Sequence, residues 1–191
     1  MPAAGFNVLM ICSGNLCRSP IAEQLLRART AGSGIAVSSA GVIAENGAAM
    51  PSEAAIVSRR YGGDPSTHLS RLLTVEHLRE ADLVLTATRA HRSSVVQLLP
   101  RMSRRTFTIN EFARLLGNIP ESEWAGLLDS ASVVDAARSL RGLVAPPENP
   151  DDDDLEDPYR RPFEVYEAVG ARLHEQIALI AEHLSCRGAY R

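Results

Sequence analysis

Thiols are scarce in this chain: three cysteines among 191 residues, with Cys12 and Cys17 five apart and Cys186 near the C-terminus. That is not the spacing of a secreted disulfide framework, and a reducing cytoplasm is the expected compartment. No apolar run approaches the roughly 20 residues that a membrane span requires. Met1 to Asn7 reads without a basic-then-apolar leader. Positive charge is not in excess either. A formal net charge of −3 and an isoelectric point near 6.0 argue against a general nucleic-acid binder. What remains is a chain with 45% hydrophobic residues, enough for a core, whose length suits one domain over 1–191.

The informative stretch runs from Val8 to Pro20. Phe6 to Ile11 is a short apolar run of the kind a buried parallel strand needs. Pro20 suits the first turn of a helix, where a missing N–H is tolerated, and Ile21 to Arg29 continues at helical spacing. Between them lies the loop Cys12, Ser13, Gly14, Asn15, Leu16, Cys17, Arg18. A strand feeding a tight loop that opens a helix aims backbone N–H groups and the helix's positive end into one concavity. That is an anion cradle, with a thiol at its start and a guanidinium at its end.

A free thiol is mostly protonated at neutral pH and reacts as the thiolate; inward amides, a helix N-terminus and Arg18 all favour that charged form. The same groups bind a phosphate dianion, the planar Arg18 fork taking two oxygens at once. A thiolate beneath a bound phosphate is placed for in-line attack on phosphorus. Gly14 is expected to supply a turn that other residues resist. Asn15 tolerates a left-handed conformation and braces the loop through its amide. Ser19 is placed to donate its hydroxyl to the Cys12 sulfur. The competing reading, that Cys12 is a buried small hydrophobe ending a strand, fits an isolated cysteine. It does not account for Gly14, Asn15, Arg18 and Ser19-Pro20 arriving together.

Cys12-x5-Arg18-Ser19-Pro20 resembles the active-site loop of the low-molecular-weight protein tyrosine phosphatases of the bacterial type. Alternating strand and helix patterns predict an α/β fold, a doubly wound, flavodoxin-like four-stranded parallel sheet with right-handed crossovers and helices on both faces. Ligands in such sheets sit beyond the carboxyl ends of the strands. Ile35 to Ser39 is the second strand, ending in Ser39-Ala40-Gly41, so Ser39 and the Cys12 loop should face one site. The resemblance implies a hydrogen-bond network of Asn15, Ser39 and His68.

Pro51 to Tyr61 reads as a helix stopped by Gly62-Gly63, Thr74 as the cap of a short helix through Leu78, Asp82 to Thr86 as a strand, and Arg89 to Leu99 as a helix. The resemblance is continuous to Pro100 and lapses over 101–150. There Thr106 to Ile109 is the expected last strand and Asn110 the expected cap of the next helix. Trp124 to Leu143 reads as one further helix, making an added helical element over about 110–150. Pro146 to Pro150 breaks regular structure. The run Asp151 to Asp154 reads as a solvated loop or a cation site. Pro162 opens the last helix, whose apolar face includes Val165, Val169, Leu173, Ile177, Ile180 and Leu184.

The resemblance places a general acid at Asp157 in Asp157-Pro158-Tyr159, with Pro158 stiffening the loop. Its implied chemistry is hydrolysis of phosphotyrosine in proteins, and of small aryl phosphates, through a cysteinyl-phosphate on Cys12. Arg18 and the loop residues Ser13, Gly14, Asn15, Leu16, Cys17 and Ser19 hold the phosphate. Tyr159 stacks on the substrate ring. The loop supplies the positive charge, so neither a metal nor a cofactor is called for. The family's second aromatic wall should fall within Val42 to Pro51, which contains no Phe, Tyr or Trp. Implied partners are phosphotyrosine proteins, such as the tyrosine kinases of surface-polysaccharide synthesis on which bacterial members often act, with phosphate as product or inhibitor.

Two alternatives use the same loop. An arsenate reductase on this scaffold needs downstream thiols, and Thr86 to Arg92 has none; Cys186 is poorly placed for the role. A non-catalytic phosphate-binding module would not need nucleophile, arginine and acid together. Cys17, close to a reactive thiolate, is also expected to trap an oxidised Cys12 as a disulfide.

Overall fold

The computed structural model describes residues 5–185. Its four strands are β1 (Phe6–Cys12), β2 (Ile35–Gly41), β3 (Leu83–Thr86) and β4 (Thr106–Thr108). They form a parallel sheet in the order β2-β1-β3-β4. Successive side chains of a strand face opposite sides. Accordingly Val8, Met10 and Cys12 enter one core layer while Leu9 and Ile11 enter the other. This is the doubly wound α/β architecture that the alternating pattern predicts. The chain leaves β1 for β2 on one side and reaches β3 on the other, so a crevice opens above the carboxyl end of β1. In register, Cys12 pairs with Gly41, Ile11 with Thr86, and Thr86 with Thr108.

One face of the sheet is covered by α1 (Arg18–Arg29), α2 (Ser52–Arg60), α5 (Ile109–Leu116) and the long α8 (Phe163–Ser185). The other carries α3 (Val75–Glu80) and α4 (Arg89–Leu98). Ile21, Ala22, Leu25 and Leu26 make the wholly buried face of α1. Truncating Leu25 to Ala should cost about 2–5 kcal/mol, which makes α1 a firm base for the loop in front of it. The helix begins at Arg18, so Pro20 lies in its first turn, at the third position. Gly170 lets α8 approach α2, because a Cβ there would lie 3.2 Å from the Tyr61 ring and closer still to Val57. Along α8, Val169, Leu173, Ile177, Ile180 and Leu184 are buried and Val165 is partly so.

The region after Pro100 departs from expectation in three places. The cap of α5 is Thr108, not Asn110: Thr108 and Glu111 form a reciprocal capping box. The expected helix over Trp124 to Leu143 is two helices, α6 (Glu121–Trp124) and α7 (Ser130–Leu140). They are split where Asp129 caps α7 through Ser132, and Leu128 and Leu143 are left in the open at 80% exposure. Finally, α5 belongs to the core, with Phe112 packed on Phe107 at 5.0 Å between ring centroids. Outside it lie α6 and α7, the latter burying Val133, Val134 and Ala137 against the same core. Arg141 fastens α7 to the sheet, stacking over Phe107 at 4.0 Å and bonding Glu111 and the carbonyls of Ser103 and Thr106.

Candidate active site

The loop after β1 is wrapped so that its carbonyls turn away from its mouth. Val42 N–H bonds the Cys12 carbonyl at 3.0 Å and Ile43 N–H that of Ser13 at 3.1 Å. His68 Nε2 meets the Asn15 carbonyl at 2.8 Å, and Ile21 N–H bonds that of Cys17 at 3.0 Å. The wrapping depends on Asn15, which takes φ 55° in the left-handed region. Gly14 does not take that conformation, and a Cβ there would meet only the Leu16 side chain at 3.7 Å. The glycine the loop needs is Gly41, at the end of β2. A Cβ there would lie 2.8 Å from Asn15 N and nearer still to the Ser13 carbonyl.

Cys12 Sγ lies 3.0 Å from Ser19 Oγ. Asn15 Nδ2 donates to Ser19 Oγ at 3.0 Å and to Ser39 Oγ at 2.8 Å, and its Oδ1 accepts from Arg71 N–H at 2.9 Å. The structure therefore gathers Asn15, Ser39 and His68 behind the loop. It adds Glu23, whose carboxylate accepts from Ser39 Oγ and pairs with Arg27. A continuous chain of contacts thus runs from a buried carboxylate through Ser39, Asn15 and Ser19 to the Cys12 sulfur.

At the mouth, Arg18 is buried at 4% exposure. Its Nη1 donates to the Leu155 carbonyl at 3.1 Å, and its Nη2 to Ser13 Oγ at 3.2 Å and to Asp157 Oδ2 at 2.6 Å. Its Nε is buried without a partner among the described residues. An orphaned guanidinium N–H is costly in isolation and suits a site built for an anion's oxygens. Asp157 is half exposed and its Oδ1 also takes Tyr159 N–H at 3.2 Å. Tyr159, 42% exposed, stands beside it. Ile43, 75% exposed and bonded through its backbone to Ser13, puts an aliphatic side chain beside the loop within the segment that lacks an aromatic residue. Leu16 is half-buried, packed partly into the core.

Cys17 is buried, and its thiol is pushed up to about 12 by burial first and then by the neighbouring Cys12 charge. It is therefore a neutral thiol behind the loop. Among the described residues Cys12 and Cys17 are the cysteines, and Cys186 lies outside them.

Several site residues carry no local signature in the sequence. His91, near the start of α4, places Nε2 2.9 Å from Ser13 Oγ and Nδ1 2.7 Å from Thr88 Oγ1. Burial, reinforced by Arg18, holds its pKa down to about 4, so the ring is neutral where it touches the loop. The acidic run is solvated at Asp151 and Asp152 and half-buried at Asp153 and Asp154, and no group of metal-ligating side chains suited to a cation occurs among the described residues. Asp151 and Asp154 pair with Arg89, and Asp154 also accepts Arg89 N–H at 2.7 Å. Asp153 pairs with Arg114. The Asp152 carbonyl accepts from Asn110 and Arg172. These contacts pin the segment before Asp157 to α4, α5 and α8, and Leu155 N–H closes it onto the Ala87 carbonyl.

A model of the family described as low molecular weight phosphotyrosine protein phosphatase matches residues 7–120. A protein-arginine-phosphatase of Geobacillus stearothermophilus is 30% identical, covering 94% of this chain and 96% of that protein. The low molecular weight protein-tyrosine-phosphatase Etp of Escherichia coli (strain K12) is 35% identical over 56% of this chain and 70% of its own. The crystal structure of a low molecular weight protein tyrosine phosphatase from T. tengcongensis superimposes with a TM-score of 0.68 at 32% identity, covering 93% of this chain and 99% of that one. With its fold, its match to the family model over residues 7–120 and a relative aligned along nearly its whole length, the chain belongs to the low molecular weight phosphotyrosine protein phosphatase family and is a phosphate-releasing hydrolase.

Proposed function

We propose that this protein is a cysteine-dependent phosphatase acting on phosphotyrosine in proteins and on small aryl phosphates. The observation that carries the reading is Arg18: a buried guanidinium with an orphaned Nε, sharing its Nη2 between Ser13 and Asp157 at the mouth of the Cys12 loop. Cys12 attacks phosphorus while Arg18 and the loop amides of residues 13–18 balance charge growing on the equatorial oxygens. Ser19, 3.0 Å from the sulfur, steadies it as nucleophile and again as leaving group. Asp157 gives a proton to the departing phenol oxygen and then takes one from the water that hydrolyses the cysteinyl-phosphate. Asn15, Ser39 and His68 hold the loop in shape. Tyr159 and Ile43 flank the substrate ring, and Leu16 offers it no polar group. The 1–191 chain acts as one phosphatase domain on phosphoproteins in the cytoplasm, bacterial tyrosine kinases among them.

A second reading follows from the relative aligned over 94% of this chain, which is named for arginine phosphatase activity. Here the leaving group is a guanidinium. That group seeks a hydrogen-bonding wall, whereas Tyr159, Ile43 and Leu16 offer aromatic and aliphatic surface, which is why the aryl substrate is preferred.

The test is hydrolysis of para-nitrophenyl phosphate in the presence of a chelator, followed by matched phosphotyrosine and phosphoarginine peptides. Cys12→Ser should abolish turnover, and the phosphotyrosine peptide should show the higher kcat/KM. Turnover that persists in Cys12→Ser would reject the mechanism. A higher kcat/KM for phosphoarginine would replace the substrate assignment and leave the mechanism standing.

A further inference from the structure

Arg160 stands in a backbone conformation that its side chain does not favour. Pro158 to Arg161 form a turn closed by Arg161 N–H on the Pro158 carbonyl at 2.9 Å. Its third residue, Arg160, has φ 59°. Glycine or asparagine is the usual occupant of a turn position with positive φ. Besides Asn15 in the phosphate loop, Arg160 is the described non-glycine residue with positive φ. Strain of this kind is retained where the surroundings over-determine it, and it collects at functional sites. The surroundings here are Tyr166, buried in α8, whose hydroxyl accepts Arg160 N–H at 3.2 Å.

The side chain so presented is exposed. Its guanidinium carbon lies 5.1 Å from the centre of the Tyr159 ring, in the range of a cation–π contact. It has no carboxylate partner among the described residues. The next residue differs: Arg161 is paired with Glu156 at 3.5 Å. All twenty cationic side chains of the chain are arginines. Many of those described are spent on carboxylates, such as Arg27, Arg60, Arg89, Arg92, Arg114 and Arg141. Arg160 is an uncompensated guanidinium held on the ring that flanks the substrate, three residues from Asp157.

We infer that Arg160 selects the sequence around the phosphorylated residue, favouring a phosphopeptide with a carboxylate side chain next to the phosphotyrosine. This rests on the phosphatase reading and deepens it. The phosphate is held by the loop, the phenol ring lies along Tyr159, and the peptide backbone must leave the site past the edge of that ring. A Glu or Asp adjacent to the phosphotyrosine passes within reach of the guanidinium, which offers it a forked pair of donors. Being at the rim, the contact acts mainly on encounter and weakens as salt rises.

The experiment compares two phosphopeptides of equal length, one with Glu and one with Gln on both sides of the phosphotyrosine. The readout is the ratio of their kcat/KM values in wild type, Arg160→Gly and Arg160→Glu. A ratio cancels any uniform loss from a looser Tyr159, and Arg160→Gly suits the backbone at that position. Wild type should favour the Glu peptide about two- to fivefold at low salt, the range expected of an exposed ion pair. Arg160→Gly should bring the ratio to about one and Arg160→Glu should invert it. A wild-type ratio of one, or a preference that survives Arg160→Gly, overturns the inference. Para-nitrophenyl phosphate turnover, dependent on Cys12, is measured alongside. If it is present and the ratio is one, only the inference fails; if it is absent, the phosphatase reading fails and takes the inference with it.

Discussion

Arg18 and Asp157, 139 residues apart in the chain, meet at 2.6 Å over the Cys12 loop. The buried guanidinium is fixed by the Leu155 carbonyl, two residues before the acid it contacts. One arginine therefore both binds the phosphate in the proposed mechanism and sets the height of the carboxyl above it. Asp157→Asn keeps an oxygen for Arg18 yet supplies no acid. Turnover should fall by roughly 10²–10⁴ on substrates with poor leaving groups, with KM little changed, and by less where the leaving group departs unaided. Asp154→Asn should leave kcat within about threefold and lower stability by about 0.5–1 kcal/mol, since it weakens a part-exposed pair with Arg89. Equal losses of turnover in the two variants would mean that the acid has been misassigned.

Gly14 and Gly41 separate a glycine inside the loop from one that the loop leans on. Gly41→Ala puts a methyl against backbone atoms of Ser13 and Asn15, which cannot give way without opening the loop. It should cost about 1–3 kcal/mol and most of the activity. Gly14→Ala meets only a flexible leucine and should change stability by about 0.5 kcal/mol or less. Urea midpoints of the two variants decide the matter; a larger shift for Gly14→Ala would contradict the packing described.

What the sequence makes legible follows from what is local. The β1-loop-α1 unit is contiguous, so its strand run, its loop residues and its helix spacing can be read together. Glu23, His91 and Arg89 reach the site through contacts that carry no periodicity and join distant segments, as with His91 to Ser13 and Arg89 to Asp154. Nothing near His91 in the chain distinguishes it from a surface imidazole. The misread region is instructive in another way. Apolar spacing continues across Leu127 and Leu128, so it suggests one helix, although Asp129 with Ser132 forms a cap three residues wide that marks the true start of α7. Thr108 with Glu111 carried the same kind of signal against Asn110.

His91 should make stability depend on pH in a defined window. Burial first, then Arg18, holds its folded-state pKa down to about 4 from 6.5. Between these values the unfolded chain binds a proton that the folded chain does not. Stability from this residue is therefore complete above pH 6.5 and is lost as pH falls towards 4. The contribution is on the order of 3 kcal/mol. His91→Gln, which carries no titrating group, should give a flatter stability curve across that window when denaturation midpoints are measured at half-unit steps. Parallel curves for wild type and variant would show that the ring titrates alike in both states.

Cys17 bears on how the protein responds to peroxide. If Cys12 is oxidised to a sulfenic acid, a neighbouring thiol can close a disulfide with loss of water, which spares the sulfur from irreversible oxidation. The attacking form is the thiolate, and Cys17 is held as a thiol by burial and by the charge on Cys12. Oxidation of Cys12 to the neutral sulfenic acid removes that second cause and leaves the first. The trap should therefore be slow at neutral pH and faster as pH rises. Activity recovered by a dithiol after a fixed peroxide dose should be greater at pH 9 than at pH 6.5. Cys17→Ser should keep much of its untreated activity and recover poorly at both. Mass mapping should find Cys12 joined to Cys17; a link to Cys186, or recovery that does not depend on pH, would end this account.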